Sequence, residues 1–595
     1  MDKNAITQAA RDYLAKEKDA RFKAEVEKLL AADDLKELED RFYRTLEFGT
    51  AGLRGVIGGG FNRMNTYVVQ SATQGLANYL IKALPQKAKS GGLSAVIAYD
   101  SRHYSAEFSK AAALIFAANG IKTYLFSSMR PTPELSFAIR RLKADTGIVV
   151  TASHNPPQYN GYKAYWGDGA QVIEPHDKGI IDEVQNVKEI KEMEEDVAVG
   201  RGLLKIIDRE IDLPYQEMVR ASLFRRALTS EKGGDVKIVY TPLHGTGAMH
   251  VEAVLGSLGL KVITVPEQRE GNGDFPTVAF PNPEEAAAME MAIALGKKEK
   301  ADVVMATDPD ADRFGIAVPA KTGGEYVLVT GNQLGVLLAD YIFLSLKETG
   351  RLPANAAMIN SVVTTGMQAK VAALYGASCL ECLTGFKWIA DLMRRCEGES
   401  SISGGALDYK IVFGCEESYG YLVENDVRDK DGVSAAALTA EMTLYWRSLG
   451  KSLLDRLNDL FEKCGYWQEM GISKYFAGSG GPAVMSGIMD AYRKKPPETL
   501  GGIKVEKMRD LENSLTIYPG SARTEKVALP KSDVLQFYLA DGTIVSVRPS
   551  GTEPKIKFYA SCCTPLGSSG MDGAKKEAAR KLDAIKADIK KVIGG

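Results

Sequence analysis

The sequence offers little to a disulfide framework, a membrane or a polyanion. Its cysteines number seven in 595 residues: Cys379, Cys382, Cys396, Cys415, Cys464, Cys562 and Cys563. An odd count spread so thinly excludes a stapled secreted domain and predicts reduced structural thiols in a cytoplasmic protein. Cys379-Leu-Glu-Cys382 has no second pair or nearby His to complete four zinc ligands. No apolar run reaches the roughly 18 residues that span a bilayer. Met1–Leu30 alternates charge with Ala and Leu and has no signal-peptide apolar region. Lys plus Arg is 74 against 76 for Asp plus Glu, a net charge of −2. Such a chain has no global field for gripping nucleic acid or an anionic membrane. A Walker loop does not occur, and Gly245-Thr-Gly247 lacks the third glycine of a dinucleotide fingerprint. Any phosphate must therefore be held by local clusters.

What is present is ordinary soluble-protein composition, 45% hydrophobic and 25% charged, with 58 glycines for turns. At about 150 residues per domain the length suggests about four domains. Residues 4 to about 47 carry apolar positions three and four apart and read as helices. Beyond them short apolar runs, such as Ala95–Ala98 and Ile148–Val150, alternate with helical stretches such as Ala106–Ala118. That alternation predicts βαβ units in mostly parallel sheets. It recurs around Val236–Tyr240, Lys261–Val265 and Val303–Ala306, and again around Met358–Val363 and Ile411–Gly414. The last block differs. Val545–Val547 and Ile556–Tyr559 read as strands and Ala574–Val592 as a terminal amphipathic helix, a smaller α+β domain. Lys232-Gly-Gly and Gly478-Ser-Gly-Gly-Pro482 read as surface loops.

Four loops carry chemistry. Thr151-Ala-Ser153-His154-Asn155-Pro156-Pro157 follows a buried strand, placing Ser153 at a strand's carboxyl end, where α/β sites form. A serine hydroxyl needs a base or metal to become a nucleophile, and His154 and Lys163 are the nearby candidates. Asp308-Pro-Asp310-Ala-Asp312-Arg313 sets three carboxylates at alternate positions after another strand. Their repulsion calls for a cation, and hard oxygen ligands in this number favour Mg²⁺ or Ca²⁺. An EF-hand is excluded because Arg313 stands at the sixth position and Pro319 at the twelfth. Three protein ligands leave room for a phosphate oxygen. Glu416-Glu-Ser418 can bond sugar hydroxyls, and Lys387 upstream offers a cation. Arg548-Pro-Ser550-Gly551-Thr552-Glu553-Pro-Lys555 makes a nest of donors suited to a phosphate dianion.

These motifs, in this order, resemble those of the α-D-phosphohexomutases, and the resemblance runs from about residue 45 to the end. It implies an α/β fold: three related mixed α/β sandwich domains plus a C-terminal α+β, TBP-like domain around a central cleft. The boundaries expected are 1–215, 216–332, 333–465 and 466–595. It also implies an intramolecular phosphotransferase, in which phosphoserine donates to a sugar monophosphate and recovers the other phosphate from the bisphosphate. Carried over by position, Ser153 is the phosphoserine and fourth metal ligand. Asp308, Asp310 and Asp312 complete a Mg²⁺ site, and His154 and Lys163 are acid–base candidates. Arg54, in Thr50-Ala-Gly-Leu-Arg54-Gly, faces the serine. Glu416, Ser418, Lys387 and Arg313 read the sugar, while Arg548, Ser550, Gly551 and Thr552 hold the non-reacting phosphate.

Two departures bear on the substrate. Cys415 stands where many members have Gly, and Gly420 where some mannose-competent bacterial members have His. With Gly60-Phe-Asn-Arg-Met-Asn65 and the helical N-terminus, they indicate the longer-chain phosphoglucomutase/phosphopentomutase branch. The expected reaction interconverts α-D-glucose 1-phosphate and glucose 6-phosphate, with glucose 1,6-bisphosphate as intermediate and activator. Mannose or pentose phosphates are the alternatives within the mechanism, and a non-catalytic sugar-phosphate sensor is the alternative outside it. The expected partners are small-molecule sugar phosphates, not nucleic acid or membrane, for a monomer or dimer.

Overall fold

A computed structural model describes residues 2–49, 52–320, 324–476, 481–550 and 555–594. The chain divides into two compact units, Met1–Val329 with Tyr419–Tyr445, and Thr330–Ser418 with Trp446–Gly595. No helix among the described residues is long and apolar enough to cross a membrane.

The first unit opens with three helices, Lys3–Lys16, Ala20–Ala31 and Leu35–Phe42, each capped by an aspartate (Asp2, Asp19, Asp34) that accepts a first-turn N–H. Helix thus stops at Phe42, short of the expected 47, and Phe42 joins Ile6, Ala10, Tyr13, Val26 and Leu38 in a small core. Buried Glu17 closes this bundle: its carboxylate accepts from the Tyr13 hydroxyl at 2.9 Å and the Tyr67 N–H at 3.2 Å. The bundle also holds Gly59, whose N–H donates to Glu25 and whose carbonyl accepts from Arg41, both at 2.9 Å.

A six-stranded sheet follows, in the order Leu53–Val56, Tyr159–Trp166, Thr146–Val150, Ser94–Tyr99, Lys122–Phe126, Leu204–Ile207. The last four strands are parallel, but the first two junctions are antiparallel. The sheet is mostly parallel, as expected, and mixed at that edge. The segment from Thr151 to Gln158 is too short for a helical crossover, so the chain turns straight back as a hairpin. Gly52 (φ +109°) and Gly161 let the strands meet, since a Cβ on Gly52 would lie 1.8 Å from the Tyr162 carbonyl oxygen.

The second sheet repeats the plan, in the order Tyr326–Val329, Phe314–Pro319, Val303–Thr307, Lys237–Thr241, Lys261–Thr264, again with two antiparallel junctions at one end. The Ser153 loop and the Asp308–Asp312 loop are therefore equivalent hairpin turns, each leaving a strand buried at every position. Gly233, expected on a surface loop, is instead buried in a short 3₁₀ turn, Gly233–Asp235. A Cβ there would meet the Gly259 carbonyl oxygen at 2.8 Å.

In the second unit, Ala356–Ser361 pairs in parallel with Ser378–Cys382 on one side and Lys410–Glu416 on the other. The C-terminal portion is an antiparallel sheet in which Tyr466–Tyr475, Lys555–Thr564, Ile544–Pro549, Leu535–Leu539 and Ile503–Asp510 are successive neighbours. The terminal helix runs Gly570–Ile593, and its Ala578, Leu582, Ile585 and Ile589 share a core with Val545, Phe537 and Phe558. Of the glycine-rich loop at 478–482, residues 478–480 lie outside the described residues.

Glu469 faces Ser561 across the first two of these strands, and burial pushes its carboxyl up to about 7 from 4.5. The folded state then keeps a proton that the unfolded chain releases, so stability falls as pH rises from 4.5 toward about 7 and levels off above. Glu469→Gln removes that dependence. The gain in melting temperature of the variant over wild type is expected to widen across this range in thermal scans; a gain that ignores pH refutes it.

Candidate active site

Ser153 is buried, and its backbone sits in the left-handed region at φ +50°, which few non-glycine residues adopt. Its N–H donates to the Thr151 hydroxyl at 2.8 Å, and that hydroxyl donates to Asp100 at 2.5 Å. The Ser153 hydroxyl donates to Asp308 Oδ2 at 2.7 Å, and His154 Nδ1 lies 3.3 Å away from it. The two hairpin loops thus meet at the serine.

Asp308, Asp310 and Asp312 are at most 2% exposed, and one oxygen from each lies within 4.8 Å of the others. Asp308 Oδ1 accepts the Arg313 N–H at 2.9 Å. Asp310 Oδ2 accepts from Lys163 at 2.7 Å and from the Thr132 hydroxyl at 2.8 Å. Asp312 Oδ2 faces Lys163 at 3.1 Å and Lys430 at 3.2 Å. Asp310 Oδ1 and Asp312 Oδ1, equally buried, accept nothing from the described residues. At an effective dielectric of 20, each like-charge pair at this range costs on the order of 3 kcal/mol.

Burial, reinforced by Asp310 and Asp312, accordingly pushes Asp308 well above the carboxylate range. Burial acts on Asp312 in the same sense, but Lys163, Lys430 and Arg313 outweigh it and hold that group low. An oxygen-only donor set with two orphaned buried oxygens fits a hard divalent cation, with Ser153 beside it.

The other residues singled out in this unit converge here. Lys163 lies on the returning strand of the serine hairpin, and its ammonium stays charged because Asp310 and Asp312 overcome its burial. His154 is held neutral by burial and by Arg313 and Arg54. Arg54 reaches the serine loop, its Nη1 donating to Asn155 Oδ1 at 3.2 Å. The Arg313 guanidinium lies 3.7 Å from Glu284.

Sequence reading missed Lys430, Thr132 and the Asp100-Ser-Arg102 turn. The last follows the carboxyl end of strand Ser94–Tyr99, the same position that marked Ser153. Lys430 was detectable only as part of the charged run Arg428-Asp-Lys-Asp431 before an apolar helix. Gly245-Thr-Gly247 braces the Asp308–Asp312 loop: the Thr246 N–H donates to the Pro309 carbonyl at 2.8 Å. A second buried trio, Glu134, Asp212 and His250, already has its cation, since Arg130 donates to both Asp212 oxygens.

In the second unit, Glu416 is buried and accepts the Gly385 N–H at 2.6 Å, joining the Glu416–Ser418 segment to the start of the helix Phe386–Cys396 that carries Lys387. Ser418 is half-buried beside it. Cys415 is buried and accepts from Gln368 at 3.1 Å. Arg548 is the last residue but one of strand Ile544–Pro549, and the Ser550 N–H donates to the Lys555 carbonyl at 2.8 Å. Gly551 and Thr552 lie outside the described residues, as do Thr50 and Ala51.

Comparison with known proteins agrees with this layout. The phosphoglucomutase/phosphomannomutase alpha/beta/alpha domains I, II and III match residues 45–191, 214–323 and 330–464, and the C-terminal domain of that family matches 499–565. A mouse phosphopentomutase is 35% identical over 94% of this chain and 90% of its own. The chain belongs to the phosphoglucomutase/phosphomannomutase family. Among its members, a Staphylococcus haemolyticus phosphoglucomutase is also 35% identical, over 88% of this chain and 91% of its own. The open form of the Paramecium phosphoglucomutase pp63/parafusin shares the fold, with a TM-score of 0.69 at 19% identity over 93% of this chain and 96% of that one. Membership makes the chain an enzyme of the phosphotransferase and isomerase type.

The carboxylate trio yields a metal test with two opposite signs. At a hundredfold excess over Kd, Mg²⁺ is expected to stabilise the metal-stripped protein by about 2.7 kcal/mol. Asp308→Asn removes a charge that the metal-free fold disfavours, so the stripped variant melts at or above stripped wild type yet gains nothing from Mg²⁺. Thermal scans with and without the ion decide; a full Mg²⁺ shift in the variant removes Asp308 from the ligand set.

Proposed function

We propose that the chain is a phosphoglucomutase, interconverting α-D-glucose 1-phosphate and glucose 6-phosphate through a phosphoserine at 153 and glucose 1,6-bisphosphate. The observation that carries the reading is the 2.7 Å contact between the Ser153 hydroxyl and Asp308 within a buried carboxylate trio. In this reading four segments, 1–215, 216–332, 333–465 and 466–595, each supply one loop. Asp308, Asp310, Asp312 and Ser153 would hold Mg²⁺, which would supply positive charge against the phosphoryl oxygens in a loose transition state.

The residues of the chain do the rest. The phosphorus–oxygen bond at Ser153 breaks as one forms to the sugar hydroxyl. In this reading neutral His154, whose Nδ1 lies 3.3 Å from Ser153 Oγ, moves the proton between the two oxygens. Lys163, fixed as an ammonium, contributes charge rather than basicity. Arg54 steadies the serine loop and the incoming phosphate. Glu416, Ser418, Lys387 and Arg313 bind the sugar, and Arg548, Ser550, Gly551 and Thr552 grip the phosphate that does not react.

One further observation favours glucose or pentose over mannose. A Cβ at Gly420 would lie 2.3 Å from the Lys430 side chain, whose ammonium is engaged by Asp312 and Asp429. A histidine there would displace that lysine. Phosphopentomutase is the second reading, favoured by the mouse relative of that name. The test is a coupled assay with Mg²⁺ and a trace of glucose 1,6-bisphosphate on glucose, mannose and ribose 1-phosphates. Glucose 1-phosphate is expected to give the highest kcat/KM, and Ser153→Ala to lose at least about a thousandfold, since the nucleophile is gone. Ribose 1-phosphate in first place would make it a pentomutase, and wild-type silence on all three defeats the mutase reading.

A further inference from the structure

The Ser153 loop is held from beneath by one side chain outside the reacting set. Arg102 follows strand Ser94–Tyr99, and its side chain has no exposed surface. Its Nη1 donates to the carbonyls of Pro156 at 2.8 Å and Tyr159 at 3.0 Å. Its Nη2 donates to the Ser153 carbonyl at 2.5 Å and to that of Asn155. One planar group therefore gathers four carbonyls between residues 153 and 159. Its face lies over the Phe275 ring, 4.9 Å from the centroid, and Nε stands 3.4 Å from Asp100. Asp100 also accepts from Thr151, whose hydroxyl receives the Ser153 N–H. Both peptide groups of Ser153 are thus tied to one buried ion pair, Asp100 through the N–H and Arg102 through the carbonyl.

That arrangement has a definite use. Left-handed backbone at a serine costs about 1 kcal/mol or more and persists only where its surroundings over-determine it. Released, the loop would relax, and Oγ would swing off Asp308. A point charge cannot replace the fork, because an ammonium presents its donors from a single atom whereas the guanidinium spreads five in one plane. Thr151 can fix the N–H side alone, which leaves the carbonyl side to Arg102.

We infer that Arg102 is the positioning residue for the nucleophile: by binding the carbonyls of residues 153–159 it holds Ser153 Oγ on the metal-facing carboxylates for phosphoryl transfer. This rests on the phosphoserine reading above. The step itself is unchanged, and Arg102 touches neither phosphate nor sugar, so its loss acts on transfer and leaves binding alone.

The experiment compares wild type with Arg102→Lys, which keeps the charge, and Arg102→Gln, which keeps planar donors. Each is loaded with phosphate from glucose 1,6-bisphosphate, the Ser153 peptide is quantified by mass spectrometry, and a single turnover is chased with glucose 1-phosphate. The expected result is a single-turnover rate at least thirtyfold lower in Arg102→Lys, with KM for the sugar phosphate and the Mg²⁺ melting shift within threefold and a few degrees of wild type. Arg102→Gln falls less. Both variants transferring within threefold of wild type overturn the inference, as does failure of both to fold, which would make Arg102 a stability residue only. A wild type that takes no phosphate on Ser153 instead removes the phosphoserine reading, a distinguishable outcome.

Discussion

Three buried carboxylates, with one oxygen of each within 4.8 Å of the others, are the constraint around which the first unit is organised. Water cannot screen Asp308, Asp310 and Asp312, so the protein has brought Lys163 and Lys430 to two of them and a serine hydroxyl to the third. Even so, one oxygen on each of two carboxylates finds no donor among the described residues. Packing of this kind runs against stability, since apolar residues of equal volume would serve the core better. Its persistence makes sense only if something positive and oxygen-loving arrives, and the same deficit that disfavours the metal-free state gives a cation its affinity.

The fold delivers these groups by repetition. In each of the first two sheets a central parallel strand ends, and the chain turns back in a short hairpin instead of crossing over through a helix. Such a turn cannot wander far from the strand's carboxyl end, which is where α/β proteins place their ligands. Two equivalent turns, one carrying a hydroxyl and the other carboxylates, need only face each other. Lys163 stands on the returning strand of the serine hairpin, opposite Val149, and its ammonium reaches Asp310 and Asp312 on the other hairpin.

What could be read from the chain alone follows the range of the interactions involved. Strand Val303–Thr307 announces itself because every residue is buried, and the helix Ser105–Ala118 because its apolar spacing is local. The motif residues Ser153, Asp308, Asp310 and Asp312 were legible because reactive side chains on a strand-end turn have few structural uses. The antiparallel edges were not legible, since a buried strand has the same composition whichever way its neighbour runs. Lys430 showed only as one charge in a run, and its role did not: it lies more than a hundred residues from Asp312 in sequence, and no periodicity reports a contact of that span. Gly233 misled because its lack of a side chain serves close backbone packing as well as it serves a loop.

Arg102 shows the remaining limit and also the logic of the site. Its neighbours in sequence, Asp100 and Ser101, look like a polar turn, and nothing local says that the guanidinium will disappear beneath another loop. Burial pulls its pKa down to about 10, yet the group remains a cation at neutral pH and Asp100 answers it. A buried ion pair is weak evidence for stability, because desolvation offsets much of the attraction. Geometry is the better explanation. Spent on four carbonyls, the guanidinium converts a flexible eight-residue turn into a fixed platform, and a platform is what a nucleophile on a turn lacks. Phosphoryl transfer depends on in-line alignment far more than on intrinsic reactivity, so rigidity beneath Ser153 and charge in front of it do different work. In the proposed reaction the carboxylate trio sets where the phosphate's charge is tolerated, and the arginine sets where the oxygen that carries it stands.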